Sequence, residues 1–255
     1  MNTLLLPRKL LVSLALVTFC GACLGAEPVP LIHGHSHNDY EHKRPLLDAL
    51  DRGFCSVEAD VHLVDGGLLV AHSRSQVKPE RTLQALYLDP LRERVKKNGG
   101  HVYPAGPQFT LLIELKSDMQ TSYTVLREIL KQYADMFTSF RSGATETNAI
   151  RVIITGHRST EMFAGESIRY AGVDGELTDL DSTAPANLVP WISSAWGQSF
   201  QWRGTGPHAR GGETQAASHR FQSARARPAG AVLGRAGQTT LLARNARQRR
   251  GYHQH

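Results

Sequence analysis

Cysteine is scarce in this 255-residue chain: there are three, and two of them, Cys20 and Cys23, lie in an N-terminal apolar run. Thiolate metal sites therefore have almost nothing to draw on. Once that run is removed Cys55 stands alone, so no intramolecular disulfide can form. Just ahead of a strand-like apolar run, Cys55 reads as a small core residue rather than a catalytic thiol. Long hydrophobic runs are scarce too. The one at the start, LLVSLALVTFCGACLGA, follows Arg8 and Lys9 and ends in small residues before Glu27 and Pro28. Charged, apolar and small segments in that order make residues 1–26 a secretory signal, which places the chain outside the cytoplasm, secreted or periplasmic. The run is short for a membrane span. An uncleaved anchor is the alternative, and lipid attachment at Cys23 is disfavoured because Cys20 stands where that signal wants Leu.

Acidic residues are nearly missing from one end. Residues 196–255 hold ten Arg and a single acid, a local charge of +9, whereas the whole chain carries +6 and the remainder is therefore −3. The basicity belongs to the tail, which argues against a nucleic-acid partner for the body. From residue 204 the chain also lacks Lys, Asp, Ile, Met and Cys and shows no sustained hydrophobic period, so it is expected to bury little. Two readings stay open. One is a disordered basic tail that meets anions. The other is a changed reading frame: with GC-rich codons, shifting ARPAGAVLGRAGQ by one nucleotide can give Ala-Arg-Phe-Trp-Gly-Pro-Asp, which looks like a strand entering a loop.

Between these ends, residues 30–203 alternate strand-like and helical runs, the pattern of a parallel α/β fold. PLIHGH reads as a first strand, and RPLLDALDRG as a helix stopped at Gly53. FCSVEADV is a second strand, and VDGGLLVAH a tight turn and short strand ending at His72. TLQALYLDPLRERVKKN is helical and broken near Pro90. FTLLIELK, NAIRVIITG, RYAGVDGE and VPWISSAW read as further strands, with helices in TSYTVLREILKQYADMF and RSTEMFAGE. About six strands in this order predict a TIM-type (β/α) barrel, incomplete at its C-terminus, with its site at the strand ends.

The polar residues that interrupt these runs carry the chemistry. Glu58 and Asp60 alternate with apolar residues, so on a strand both leave the same face. A lone E-x-D is most often a solvated edge, but apolar flanks argue for a central strand, where charge needs a metal or a partner. Glu114 and Lys116 repeat the arrangement. Three carboxylates from two strands form a hard oxygen site for one divalent cation, Mg²⁺ or Ca²⁺. His35 and His72 fall at predicted strand ends and suit a general base and a general acid. Lys116 either binds a phosphate or pairs with Glu114.

Taken together these residues resemble the phosphatidylinositol-phospholipase-C-like phosphodiesterases, a superfamily that includes glycerophosphodiester phosphodiesterases and sphingomyelinases D. GHSHN supplies His35 with Asn38 three residues on, VEADVHLVDGGLLVAH supplies Glu58, Asp60 and His72, and LLIELK supplies Glu114. The longer string HSHNDYEHKRPLLDALDRGFCSVEADV looks most like the branch related to altered inheritance of mitochondria protein 6. The resemblance implies a TIM-type barrel and an attack on phosphorus by a hydroxyl of the substrate itself. His35 and His72 then move protons, and a cyclic phosphodiester forms. Its metal ligands would be Glu58, Asp60 and Glu114, and its substrate contacts Lys116, Asn38 and His37. Substrates would be glycerophosphodiesters or phospholipid headgroups, met by a monomer through at most peripheral membrane contact.

One departure is that Ser-His follows His35 where the wider family has Arg-Gly, leaving the division of roles between His35 and His37 open. Rival readings stay open as well. A truncated barrel, with open strand edges, would be an inactive relative or a secreted binding protein. The pair His35 and His37 also resembles the opening of amidohydrolase-type barrels, which bind a transition metal. Those need later histidines, and His157, His208 and His219 are poorly placed for it.

Overall fold

The computed structural model describes residues 27–141, 144–156 and 159–195, and the backbone of 231–236 and 239–242. Its strands are the apolar runs of the sequence. β1 (Ser56–Val64) reverses through Asp65 and Gly66 into β2 (Gly67–Val70). Both turn residues have positive φ, 49° and 79°, the two-residue reversal that an Asp-Gly pair favours. Then come β3 (Phe109–Leu115), β4 (Ser139–Arg141), β5 (Ala144–Glu146), β6 (Ile150–Gly156), β7 (Ile168–Arg169), β8 (Ala171–Gly175) and β9 (Trp191–Ala195). The backbone of β10 (Ala231–Ala236) and β11 (Thr239–Leu242) continues the row.

The main sheet has the order β11-β10-β9-β8-β6-β3-β1-β2, and β4, β5 and β7 make a small separate sheet. Six strands from β1 to β10 run parallel, with β2 and β11 antiparallel at the edges. α1 (Leu47–Leu50) precedes β1, and α2 (Asp89–Lys97), α3 (Met119–Gln132) and α4 (Thr160–Ala164) lie in crossovers between parallel strands. The molecule is thus an α/β fold. Among the described residues β2 and β11 do not pair, and the sheet is open. No described helix is long and apolar enough to cross a membrane.

One face of the sheet is apolar. Val57, Ala59, Val61, Leu111, Ile113, Val152, Ile154 and Val173 join Leu91, Leu126, Leu130 and Phe163 of the helices in one core. At roughly 1.5–3 kcal/mol for each large side chain removed from water, this layer is the main source of stability. α3 begins at Asp118, whose carboxylate accepts from the Thr121 N–H at 3.0 Å, and α4 at Ser159, which accepts from Met162. Cys55 is buried in the same layer, as expected.

Several elements differ from expectation for local reasons. PLIHGH is not a continuous strand but two single bridges, Leu31 to Phe54 and Ser36 to Val57. Between them the Gly34 N–H donates back to the Leu31 carbonyl, which turns the chain. The expected helix over 44–53 shrinks to four residues because Leu46 has φ 63° and donates its N–H to Asp39 Oδ2. Pro90 does not break its helix. A π-helical turn, Gln84–Leu88, leads directly into α2, whose first turn holds the N–H-less proline. The strands β4, β5 and β7, two or three residues each, are too short to leave a period in the sequence. Most of the tail from residue 204, and the signal segment 1–26, lie outside the described residues.

Candidate active site

Alternation along β1 puts Ser56, Glu58, Asp60 and His62 on the face opposite the helices. Parallel pairing sets Asp60 beside Glu114, and Glu114 beside Thr155 of β6. Glu58, Asp60 and Glu114 each offer a carboxylate oxygen, and the three oxygens lie within 4.8 Å of one another. Gly156 makes room for this. It ends β6 at φ 82°, and a side chain there would start 2.9 Å from Glu114 Cγ.

Lys116 Nζ donates to Asp60 Oδ2 at 3.0 Å and to Glu114 Oε1 at 2.9 Å. Burial opposes its charge, but these two hydrogen bonds prevail and raise its pKa, so the ammonium persists. Of the two readings for Lys116, pairing with Glu114 is what is seen, with Asp60 as a second partner. Asp60 is fully buried, and burial holds its carboxyl above the usual range against the hydrogen bonds from Tyr40 and Lys116. Its Oδ1 is buried with no hydrogen-bond partner among the described residues. Three carboxylates against one ammonium, with one buried oxygen unsatisfied, is a donor set that fits a hard divalent cation.

His72 follows β2. Its Nδ1 is 2.9 Å from Tyr40 Oη and 3.2 Å from Asp60 Oδ2, and 54% of the side chain is exposed. Tyr40 has one proton to give, to Asp60 Oδ2 at 2.7 Å or Asn38 Oδ1 at 2.9 Å. Burial, with the charge of Asp60, pushes that phenol far above its ordinary pKa, so it remains a donor. The network therefore assigns the proton of neutral His72 to Nδ1 and leaves the Nε2 lone pair available.

The loop before β1 contributes two histidines on adjacent rungs. Ser36 pairs with Val57, which sets His35 against Ser56 and His37 against Glu58. His35 Nδ1 is 2.8 Å from Ser56 Oγ, and the residue is 8% exposed. His37 Nε2 lies 3.3 Å from Glu58 Oε2, which also accepts from the Asn38 N–H at 3.0 Å. Glu58, Asp60, Glu114, Lys116, His72, His37 and Asn38 thus form one contiguous group, and His35 sits one rung away. Because His35 and His37 have separate partners, the arrangement gives no support to a metal shared between them. His157, His208 and His219 lie outside the described residues.

Tyr40 and Asp39 went unnoticed in the sequence. Tyr40 links Asn38, Asp60 and His72, and its place inside HNDYEH was the available signal. Asp39 is fully buried and accepts from Ser36 Oγ, the Leu46 N–H and Tyr87 Oη, which shapes the loop that carries both histidines.

Comparison with known proteins matches residues 26–171, which include every residue of this group, to the AIM6-like phosphodiesterase domain. Altered inheritance of mitochondria protein 6 of Eremothecium gossypii is 32% identical over 184 residues, 63% of this chain and 47% of that protein. A homolog from Arthroderma benhamiae is 30% identical over 192 residues, 67% of this chain and 60% of that protein. The protein 6 of Lachancea thermotolerans is 37% identical over 147 residues, 50% of this chain and 34% of its own. The chain therefore spans about half the length of the curated relatives it matches. No solved structure matches it.

Proposed function

This chain belongs to the AIM6-like phosphodiesterase family, and on that premise we propose that it is a metal-assisted phosphoric diester hydrolase acting on glycerophosphodiesters or phospholipid headgroups. The observation that carries the reading is the Glu58, Asp60 and Glu114 cluster, buried at its first two members, with His72 hydrogen-bonded to Asp60 on one side and His37 3.3 Å from Glu58 on the other. The parallel row of strands is read as the arc of a TIM-type barrel, whose strand C-termini hold the site. The order of residues 1–26 supports export, where a monomer meets lipid-derived diesters through peripheral contact, without nucleic acid.

In this mechanism Nε2 of His72 takes the proton of a substrate hydroxyl beta to the phosphoester, and that oxygen attacks phosphorus. The P–O bond to the leaving alcohol breaks as a second histidine protonates the departing oxygen, which closes a cyclic phosphodiester. Water then opens the ring with the two proton transfers reversed. His35 has the second role by resemblance, and His37, in contact with Glu58, competes for it. Lys116 adds positive charge at the same edge, and the Asn38 amide, its Oδ1 turned to Tyr40, keeps N–H groups for a phosphate oxygen. Glu58, Asp60 and Glu114 would hold a divalent cation of the Mg²⁺ or Ca²⁺ type, whose charge would neutralise the nonbridging oxygens.

The test is ³¹P NMR of glycerophosphodiester turnover with Mg²⁺ or Ca²⁺. A transient cyclic phosphate and loss of turnover in His72→Ala are expected. Bis-p-nitrophenyl phosphate, with no internal hydroxyl, should be a poor substrate. No turnover by folded, metal-loaded protein would overturn the enzyme reading in favour of a binding protein. Retained activity in His35→Ala with loss in His37→Ala would transfer the second role to His37.

A further inference from the structure

At the other end of the strands lies a cavity of about 180 Å³, lined by Thr138, Phe140, Thr145, Thr147, Arg151 and Asn187 among others. Arg151 is on β6 and pairs with Thr110 of β3, four residues before the rung of Glu114 and Thr155. At strand spacing the cavity is thus roughly 13 Å from the acidic cluster. Among the described residues no carboxylate lines it. Glu146 alternates away from Thr145 and Thr147 and accepts from Ser139.

Arg151 has no ion pair or side-chain hydrogen bond among the described residues, and burial alone lowers its pKa. Its nitrogens are not among the buried unsatisfied atoms, so the guanidinium is partly open and carries donors that an anion could take in place of water. Thr138 points the same way. It is 2% exposed, and its Oγ1 already accepts from Gln108 Nε2 at 2.8 Å and from the Asn148 N–H at 3.1 Å. With both lone pairs used, its hydroxyl has only a proton left to offer. A second guanidinium, Arg169, stands behind the lining, 4.4 Å over the Phe140 ring and bonded to the Asn187 carbonyl. Among the described residues the wall therefore presents donors and positive charge with no competing acid.

The geometry points to a second, non-catalytic site here that takes one small tetrahedral oxyanion, inorganic phosphate or a phosphomonoester, between Arg151 and the Thr138 hydroxyl. It is independent of the reading of the acidic cluster. Thermal unfolding in EDTA, with chloride replaced by inorganic phosphate at constant ionic strength, tests it without metal at the acidic cluster. Phosphate should raise Tm of the wild type by a few degrees and leave Arg151→Met unmoved. In chloride, Arg151→Met should melt no lower than the wild type, since the unmatched charge is gone. Glycerol phosphate in place of phosphate shows which source the site prefers, and a response to either supports it. An unresponsive wild type, or equal shifts in the wild type and Arg151→Met, overturns the site. Should Arg151→Met not fold, calorimetric titration of phosphate into wild type and Thr138→Val decides. Weakening by about tenfold supports the site, and equal or absent binding overturns it. Diester hydrolysis should persist in Arg151→Met, so failure of the site and failure of the enzyme reading register separately.

Discussion

The two faces of β1 are equally dry and opposite in chemistry. Toward the helices, Val57, Ala59 and Val61 pack into the main core, each fully buried. Toward the other side, Glu58 and Asp60 are just as buried, and among the described residues the buried apolar cluster there is the small one of Leu112, Ile153 and Trp191. On the first face, leaving water is itself the driving force. On the second it is a cost, offset by Lys116, Tyr40 and the Asn38 N–H, and further by a cation where the proposed site holds one. Stability is thus concentrated on one side of the strand and chemistry on the other, and substitutions should separate them.

The largest expected effect is on the polar face. On the proposed reading, Asp60→Asn should lower diester hydrolysis on the order of 10³-fold or more, because a neutral amide replaces an anionic ligand whose help to the transition state is worth several kcal/mol and weakens the anchor of His72. In EDTA its Tm should hold or rise, since a neutral amide replaces a poorly solvated carboxyl. A collapse of the fold would break the comparison. Next in size is the apolar face: Leu111→Ala should cost about 2–5 kcal/mol in denaturant unfolding and leave kcat per folded molecule nearly unchanged. A variant that kept its stability but lost turnover would show that the two faces are not separable.

A smaller effect follows from the Asp60 carboxyl. Burial first, and the Glu114 charge with it, raise its folded pKa above the unfolded value of about 3.9. The folded protein binds that proton more tightly than the unfolded chain does. The associated stability is complete below the unfolded pKa and is lost as pH rises through the folded one. In EDTA, the wild type should therefore lose stability relative to Asp60→Asn as pH climbs above about 4. A divalent cation at 100 times its Kd should restore about 2.7 kcal/mol by holding the ionised form. A wild type that gains stability over the same range would reverse the assigned sign.

The same contrast explains what was legible in the sequence. Glu58, Asp60, Glu114 and Lys116 were readable because period-two alternation is local, and carboxylates inside apolar runs stand out. The parallel order was readable because each strand and its helix span contiguous residues. The loop of His35 to Leu46 was not. Its shape depends on Asp39 reaching Tyr87 and Leu46, and the positive φ of Leu46 is imposed by that buried carboxylate rather than by any local preference. Tyr40 and the rung assignments of His35 and His37 depend on the same loop, as does the truncation of α1.

The smallest effect concerns Cys55, which continues the apolar register of Val57, Ala59 and Val61 one step before Ser56 begins the polar one. Its thiol faces the core, has the Gly53 carbonyl at 3.5 Å as its acceptor among the described residues, and burial pushes its pKa up to about 11. At pH 8 almost no thiolate exists to react, and the side chain is shielded as well. Alkylation of the native protein should therefore proceed only through opening of the fold, at a rate that rises with denaturant. Cys55→Ser should cost about 1–3 kcal/mol for a hydroxyl buried without a good partner, and change no catalytic constant. Rapid native alkylation, or loss of activity on modification, would mean that the apolar face of β1 takes part in the chemistry after all.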